Sequence, residues 1–262
     1  MESIDAFLQR FHLEWLQLNA QQRAAVEHTQ GAVLLLAVPG SGKTTVLVTR
    51  LGYLLYVCGV RPDQVLTMTY TIAATTDMRA RFVSFFGEEY AQGLEFRTIN
   101  GVCAKIIQYY ARAYERTPFQ LVSGGGEGNR ILRIIFGQMG KPFPTDLEIK
   151  DVAGHITYVK NMMLKQEDIE KVETDATDFP AFYRAYCNYM TAHKFMDYDD
   201  QMVIAYRILR RCPDILHHFQ RRFPYFCVDE AQDTSKIQHM IIRLLAQHAQ
   251  SLFMVGDEDQ SI

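Results

Sequence analysis

Short runs of consecutive apolar residues recur along the chain, and polar or turn-forming residues follow each of them. Runs of this length and composition predict strands that are buried on both faces. Four runs are strong and a fifth is weaker: Ala32–Val38, Val65–Tyr70, Tyr225–Val228, Leu252–Val255 and, weaker, Leu94–Ile99. Buried strands with polar residues at their carboxyl ends are typical of a parallel α/β sheet, because ligands bind outside those ends.

Between about Lys105 and Lys194 the apolar positions recur with the period of a helix, and this segment contains no convincing strand. The predicted helices are Val102–Arg116, Arg130–Met139, Leu147–Met163 and Phe179–Ala192. We therefore predict a helical subdomain at residues 105–194. It interrupts an α/β domain made of residues 1–104 and 195–262.

The amino-terminal segment has apolar residues at helical spacing and acidic residues where a signal peptide has basic ones. The apolar positions are Phe7, Leu8, Phe11 and Trp15, and they predict an amphipathic helix.

No apolar run approaches the roughly 20 residues that a membrane-spanning helix needs. The five cysteines are scattered and form no C-x-x-C pair. We expect a cytoplasmic protein with reduced thiols and no membrane span.

The charge balance excludes a globally basic surface, since 27 Lys and Arg residues stand against 30 Asp and Glu residues. A site for a polyanion must therefore be local.

The segment from Ala37 to Thr44 closely matches the phosphate-binding pattern G-x-x-x-x-G-K-[ST], with Ala37 at the first glycine position. Glycines in such a loop let several backbone N–H groups face phosphate, and the following helix adds its positive end. Lys43 is predicted to reach the β- and γ-phosphates, and Thr44 to give a hydroxyl to Mg²⁺. The predicted nucleotide contacts in this loop are Ala37, Pro39, Gly40, Ser41, Gly42, Lys43 and Thr44. This loop alone does not separate a helicase from a kinase, a GTPase or a transporter ATPase.

An acidic pair, Asp229 and Glu230, follows the third strong strand. Side chains alternate along a strand, so the two carboxylates face different ways. Asp229 is predicted to hold Mg²⁺, and Glu230 to orient or deprotonate the attacking water. An ATPase motor needs this second carboxylate, whereas a kinase or a small GTPase does not.

Together with two further motifs, these residues resemble the superfamily 1 DNA helicases of the UvrD/Rep/PcrA family. The matching segments are Leu18–Gln22, the phosphate loop, Thr69–Thr71, Asp229–Asp233 and Val255–Ile262, in that order. The resemblance implies a RecA-like P-loop NTPase sheet with an inserted all-helical subdomain. It also implies ATP and Mg²⁺ as cofactors and single-stranded DNA as a partner.

The resemblance also implies roles for particular residues. Gln22 corresponds to the glutamine that reads the adenine edge, and Gln260 to the one that senses the γ-phosphate. Thr45 lies where many relatives have an arginine that helps to hold the base. The residues implied to contact DNA are Thr69, Tyr70, Thr71 and Asn100.

Some positions depart from the family pattern. Ile72 and Ala73 follow the Thr-Tyr-Thr segment where relatives have Asn and Lys, and Asn100–Gly101 stand where relatives have His-Ser. An amide contact and a positive charge are missing there. The nucleotide chemistry therefore looks intact, while the DNA contacts look divergent.

The chain is expected to be the amino-terminal ATP-binding part of a longer helicase. By resemblance, that helicase translocates 3′ to 5′ on single-stranded DNA and unwinds duplexes, and a second motor domain supplies arginines to the γ-phosphate. Alone, the chain is expected to hydrolyse ATP poorly. Two alternatives stay open: an ATPase subunit of a helicase–nuclease complex, and a regulatory protein that uses ATP as a switch.

Overall fold

The computed structural model describes residues 2–38, 40–122 and 126–257, which form seven strands and twelve α-helices. The strands are β1 Gly31–Ala37, β2 Val65–Thr69, β3 Glu95–Thr98, β4 Gln120–Leu121, β5 Phe195–Met196, β6 Tyr225–Val228 and β7 Ser251–Asp257. The helices are α1 Ile4–Arg10, α2 Ala20–Glu27, α3 Lys43–Tyr56, α4 Ile72–Phe86, α5 Ile99–Ala113, α6 Gly126–Gln138, α7 Asp146–Asn161, α8 Gln166–Ile169, α9 Phe179–Ala192, α10 Tyr198–Arg211, α11 Pro213–Arg222 and α12 Lys236–Leu245.

Five strands form one parallel sheet in the order β1-β7-β6-β2-β3. They are the five strands that the apolar runs predict, so the parallel α/β fold is confirmed. Ala37 on β1 pairs level with Asp257 on β7, which brings the carboxyl ends of these two strands to one edge of the sheet. β6 lies beside β7 and ends at Val228, directly before the acidic pair.

The chain divides into two compact units. The sheet unit comprises the described residues within Met1–Val102, Leu216–Thr234 and Ile242–Ile262, and the helical unit comprises those within Cys103–Ile215 and Ser235–Ile241. Residues 195–215, which the sequence analysis assigns to the α/β domain, group with the helical unit. Within that unit β5 pairs with β4, and the start of α10 is joined to α7. The division into domains stays a prediction.

A buried ion cluster joins three helices of the helical unit. The Lys160 ammonium on α7 lies 2.6 Å from the Asp197 carboxylate and 2.8 Å from that of Asp200, at the start of α10. The Tyr186 hydroxyl on α9 donates to Asp197 at 2.6 Å. Burial alone would lower the pKa of Lys160, but the two carboxylates outweigh it and raise that pKa above its ordinary value. The acidic segment Asp197–Asp200 also caps α10, so it serves the packing of this unit.

The helical segment contains one strand that the sequence analysis does not predict. β4 has two residues and pairs in parallel with β5. Two residues leave no alternation of apolar and polar positions that a sequence pattern could reveal.

The amino-terminal helix is shorter than the spacing of its apolar residues predicts. α1 buries Phe7 and Leu8 and ends at Arg10, and His12 follows in the left-handed region at φ +55°. The prediction that Trp15 belongs to this helix is wrong, because the chain has already turned. The Trp15 side chain is 65% exposed and meets Phe85 edge-on.

No helix in the described ranges is long and apolar enough to cross a bilayer.

The sheet unit encloses one fully buried guanidinium, that of Arg50 on α3. It donates to the carbonyl oxygens of Ala25 and Val26 in the last turn of α2, and to the Ser251 hydroxyl at the start of β7. The guanidinium carbon lies 4.6 Å from the ring centre of Phe253. Burial lowers the pKa of Arg50. One side chain therefore joins α2, α3 and β7.

β1 is an edge strand whose only neighbour in the described part of the chain is β7. Its side chains alternate between half-buried and exposed. Leu34 and Leu36 lie on the open face and are 58% and 51% exposed.

We expect Arg50→Lys to lower the free energy of unfolding by about 2 to 4 kcal/mol, because a buried ammonium cannot reproduce the planar set of donors. Urea unfolding of the whole chain measures this change. Arg61→Lys is the control: its side chain is 70% exposed, and we expect a change within about 0.5 kcal/mol. Equal effects of the two substitutions would show that the Arg50 contacts do not stabilise the sheet unit.

Candidate nucleotide-binding site

The predicted nucleotide-binding residues of the sheet unit converge at the carboxyl edge of β1, β7 and β6. The phosphate loop leaves β1 after Ala37, Asp257 ends β7, and Asp229 follows β6 directly. Parallel strands place their carboxyl ends together, so residues far apart in the chain meet at this edge.

The phosphate loop has the backbone that phosphate binding requires. Gly40 and Gly42 have φ values of +78° and +84°, a region that side-chain-bearing residues avoid. A Cβ at Gly40 would meet no atom within 4 Å, so the space beside this backbone is open. The Ser41 hydroxyl oxygen is buried and has no hydrogen-bond partner among the described residues.

The helix that follows the loop, α3, begins at Lys43 and receives no side-chain cap from Gly42. Its first N–H groups therefore keep their affinity for an anion, and the helix dipole adds to it. Open glycine backbone, an unpartnered hydroxyl and an uncapped helix start together fit a nucleotide phosphate.

Lys43 is buried, and its ammonium forms an ion pair with the carboxylate of Asp257. Asp257 belongs to the Val255–Ile262 motif, and the sequence alone predicts no role for it. The pairing depends on the level register of β1 and β7, which no local sequence pattern reveals. Asp257 is therefore a site residue that only the fold identifies.

Asp229 is a buried carboxylate whose negative charge is incompletely compensated. Its Oδ1 accepts from the Glu230 N–H at 3.1 Å, and its own N–H donates to the Met68 carbonyl. Burial, with the nearby Glu230 charge, raises the pKa of Asp229 to about 6, although Lys43 acts in the opposite direction. A desolvated carboxylate beside a phosphate-binding loop fits a divalent cation such as Mg²⁺.

Glu230 has a left-handed backbone, with φ +51° and ψ +49°. A glutamate in this region is uncommon, and such strain concentrates at functional sites. The turn directs the chain away from β6 into a short 3-10 helix, Ala231–Asp233.

Gln232 is a second site residue that the sequence analysis does not assign. Its Nε2 donates to Glu230 Oε2 at 2.7 Å, and its Oε1 accepts from the Asp257 N–H at 3.0 Å. The side-chain amide thus joins the acidic pair to the end of β7. The Asp-Glu-x-Gln spacing could have indicated this residue, because it returns Gln232 toward Glu230 after one short turn.

Gln22 lies at the start of α2 and contacts the phosphate loop. Its Oε1 accepts from the Asn19 N–H, and its Nε2 donates to the Ser41 carbonyl, both at 2.9 Å. Thr45, in the first turn of α3, accepts from the Arg81 guanidinium at 3.2 Å. Arg81 thus brings a positive charge beside Thr45, where the resemblance implies an arginine in many members of the family.

The residues predicted to contact DNA lie at or just after the ends of β2 and β3, with Asn100 in the first turn of α5. Thr69 is buried and its hydroxyl donates to the Thr71 carbonyl, while the Thr71 hydroxyl caps α4. Tyr70 is 55% exposed, and Asn100 keeps a buried Oδ1 without a hydrogen-bond partner among the described residues. Tyr70 therefore offers the accessible aromatic surface of this group.

Two predicted site residues, Pro39 and Gln260, lie outside the described residues.

Comparison with known proteins identifies relatives of this chain. The model of the UvrD/REP helicase N-terminal domain family matches residues 18–262. The ATP-dependent DNA helicase PcrA of Staphylococcus epidermidis is 33% identical over 253 residues, which cover 94% of this chain and 34% of the relative. The proteins of the same name from Leuconostoc citreum and Staphylococcus aureus are 30% and 31% identical, again over 94% of this chain. The chain spans about a third of the length of these relatives.

We expect Asp229→Asn to stabilise the chain, measured in EDTA, by about 2 to 3 kcal/mol above pH 7. In the wild type the pKa of Asp229 is about 6 in the folded state and has the ordinary value of 3.8 in the unfolded state. Between these two pH values the folded state therefore binds a proton that the unfolded state has lost. This contribution to stability is present at low pH and is lost as pH rises through 6. Asparagine does not ionise and escapes the loss.

Chemical unfolding between pH 4 and pH 8 measures the difference between variant and wild type. The difference in the free energy of unfolding is expected to grow from nearly zero at pH 4 to about 2 to 3 kcal/mol at pH 8. Asp63→Asn, at a carboxylate that is 57% exposed, controls for the loss of one aspartate. A stability difference that is constant with pH would contradict the desolvation of Asp229.

Proposed function

The chain belongs to the UvrD/REP helicase N-terminal domain family, and on this basis we propose that it is the ATP-binding part of an ATP-dependent DNA helicase. One observation carries the proposal. The phosphate loop with Lys43 and the acidic pair, Asp229 and Glu230, meet at the carboxyl edge of one parallel sheet. Phosphate binding, cation binding and activation of water need these groups in one place.

Binding of the nucleotide is assigned to the loop and to the residues around it. The backbone N–H groups of the loop and Lys43 would hold the phosphates. Gln22, fixed between Asn19 and the Ser41 carbonyl, would lie at the adenine, and Thr45 with Arg81 would border the same site. Thr44 and Asp229 would hold Mg²⁺, which supplies positive charge to the phosphate oxygens when it is bound.

Hydrolysis is assigned to Glu230. Its carboxylate is held by Gln232 at one oxygen, and the other oxygen is then available to accept a proton from the attacking water. The positive charges of this unit neutralise only part of the charge that develops on the γ-phosphate. We assign the rest to arginines of a second motor domain in the longer parent protein.

DNA is the proposed partner, in single-stranded form. The exposed ring of Tyr70 offers a stacking surface for a base, and Ile72, which is 78% exposed, extends it. Both lie within three residues after the end of β2, which neighbours β6, so a strand bound there would lie close to the nucleotide chemistry. We propose that closing of two motor domains around ATP moves the parent protein 3′ to 5′ along the strand.

We expect steady-state ATP hydrolysis by the parent protein to be strongly stimulated by single-stranded DNA and to need Mg²⁺. Lys43→Ala is expected to abolish nucleotide binding. Glu230→Gln is expected to keep binding and to lose about 10²- to 10⁴-fold in turnover, because amide nitrogen and oxygen cannot take the proton. Hydrolysis that ignores DNA would favour the regulatory ATP switch over the helicase.

We expect Tyr70→Ala in the parent protein to weaken binding of a labelled oligothymidylate by about 5- to 100-fold, as stacking of one base is worth about 1 to 3 kcal/mol. Fluorescence anisotropy at fixed salt measures this, because salt alone changes such affinities. ATP affinity should not change. Tyr158→Ala, at a tyrosine of similar exposure in the helical unit, is the control. An unchanged DNA affinity would remove Tyr70 from the proposed interface.

A further inference from the structure

We propose that Gln232 is a positioning residue that fixes the hydrolytic carboxylate of Glu230 in register with the phosphate-binding lysine, Lys43. This inference rests on the proposed ATP hydrolysis and adds a residue to it. Gln232 would not touch the nucleotide, because both ends of its amide bond other residues of the sheet unit.

The two hydrogen bonds of the Gln232 side-chain amide have opposite polarity. The Gln232 nitrogen donates to Glu230 Oε2, and the oxygen accepts from the Asp257 N–H. The first bond needs a donor because a carboxylate only accepts, and the second needs an acceptor. Glutamate has no donor, leucine has neither group, and asparagine is shorter by one methylene. Glutamine is the residue that satisfies both ends at this length.

Gly256 leaves space for the side-chain amide of Gln232. A Cβ built on Gly256 would lie 3.1 Å from the Gln232 Oε1 atom. A contact this tight would push the amide away from the end of β7. The absence of a side chain at Gly256 therefore lets the amide reach the strand.

Asp257 connects the Gln232 amide to Lys43. Asp257, whose N–H holds Gln232, uses its carboxylate to pair with Lys43. A continuous series of polar contacts thus joins four residues in this order: Lys43, Asp257, Gln232 and Glu230. The series runs from the group that binds phosphate to the group that activates water. A phosphate and Asp257 are both anions that draw on the Lys43 ammonium, so nucleotide binding acts on one end of this series.

The backbone of Glu230 leaves the direction of its side chain open. Its left-handed conformation is set by the turn after β6 and does not by itself choose a side-chain rotamer. The bond from Gln232 makes that choice. Removing it should misdirect the carboxylate while the loop that binds phosphate stays in place.

The test compares hydrolysis with binding in the parent protein. We expect Gln232→Leu to lower kcat by about 10- to 100-fold and to leave the Kd of a fluorescent ATP analogue within about 3-fold of the wild-type value. The thermal unfolding midpoint of each variant is measured alongside, so that a loss of folded protein is recognised.

Gln220→Leu is the matched control, with the same substitution in the same unit. The Gln220 amide donates to the Leu244 carbonyl, and neither residue belongs to the candidate site. This variant is expected to lose stability but not kcat. Gly256→Ala is a second variant, in which every atom of Gln232 remains. It should lower kcat in the same direction, by less than Gln232→Leu does.

The outcomes separate the inference from the proposed function. Wild-type kcat in Gln232→Leu would overturn the inference alone, and so would equal losses of kcat and nucleotide affinity that follow the unfolding midpoint. A parent protein that binds ATP and never hydrolyses it would overturn the proposed function and this inference with it.

Discussion

The guanidinium of Arg50 imposes the constraint on which the candidate nucleotide site depends. It lies inside the sheet unit, where burial is costly for a charge, and it is bonded to the end of α2 and to the start of β7. α2 begins at the segment that bears Gln22, and β7 ends at Asp257. Arg50 itself belongs to α3, the helix that starts at Lys43. The ends of α2 and β7 that lie away from the site are thus held, inside the core, to the middle of α3.

The site that results is unfavourable for folding in two respects. Asp229 is a desolvated carboxylate beside a second negative charge, and Glu230 has a strained backbone. Both features suit the proposed chemistry: a carboxylate with little solvation binds a cation strongly, and a sharp turn separates two adjacent acidic side chains. The apolar core supplies the stability that offsets these costs, with the wholly buried β2 strand and the packed faces of α3 and α4 at its centre.

The sequence allows the sheet and the phosphate loop to be predicted because both are local patterns. Continuous apolar runs identify all five strands of the sheet, and the loop pattern identifies the residues around Lys43. Asp257 escapes sequence reasoning because its partner is fixed by strand register. The partner of Gln232 is fixed by one turn, and only the Asp-Glu-x-Gln spacing could have indicated it. Trp15 is misassigned to a helix because an apolar period does not reveal the left-handed residue, His12, that stops it. β4 is too short for any period to appear.

The open edge at β1 bears on how this 262-residue chain behaves in concentrated solution. Backbone N–H and C=O groups on the side of β1 away from β7 have no strand beside them in the described ranges, and Leu34 and Leu36 are exposed on one face. In natural proteins a lysine, a proline or a bulge in an edge strand often prevents its pairing with another molecule. The run from Gly31 to Ala37 contains neither lysine nor proline. The strand that leads into the phosphate loop is therefore a template for pairing between molecules. A contact of this kind is apolar and made by the backbone, so ionic strength affects it little.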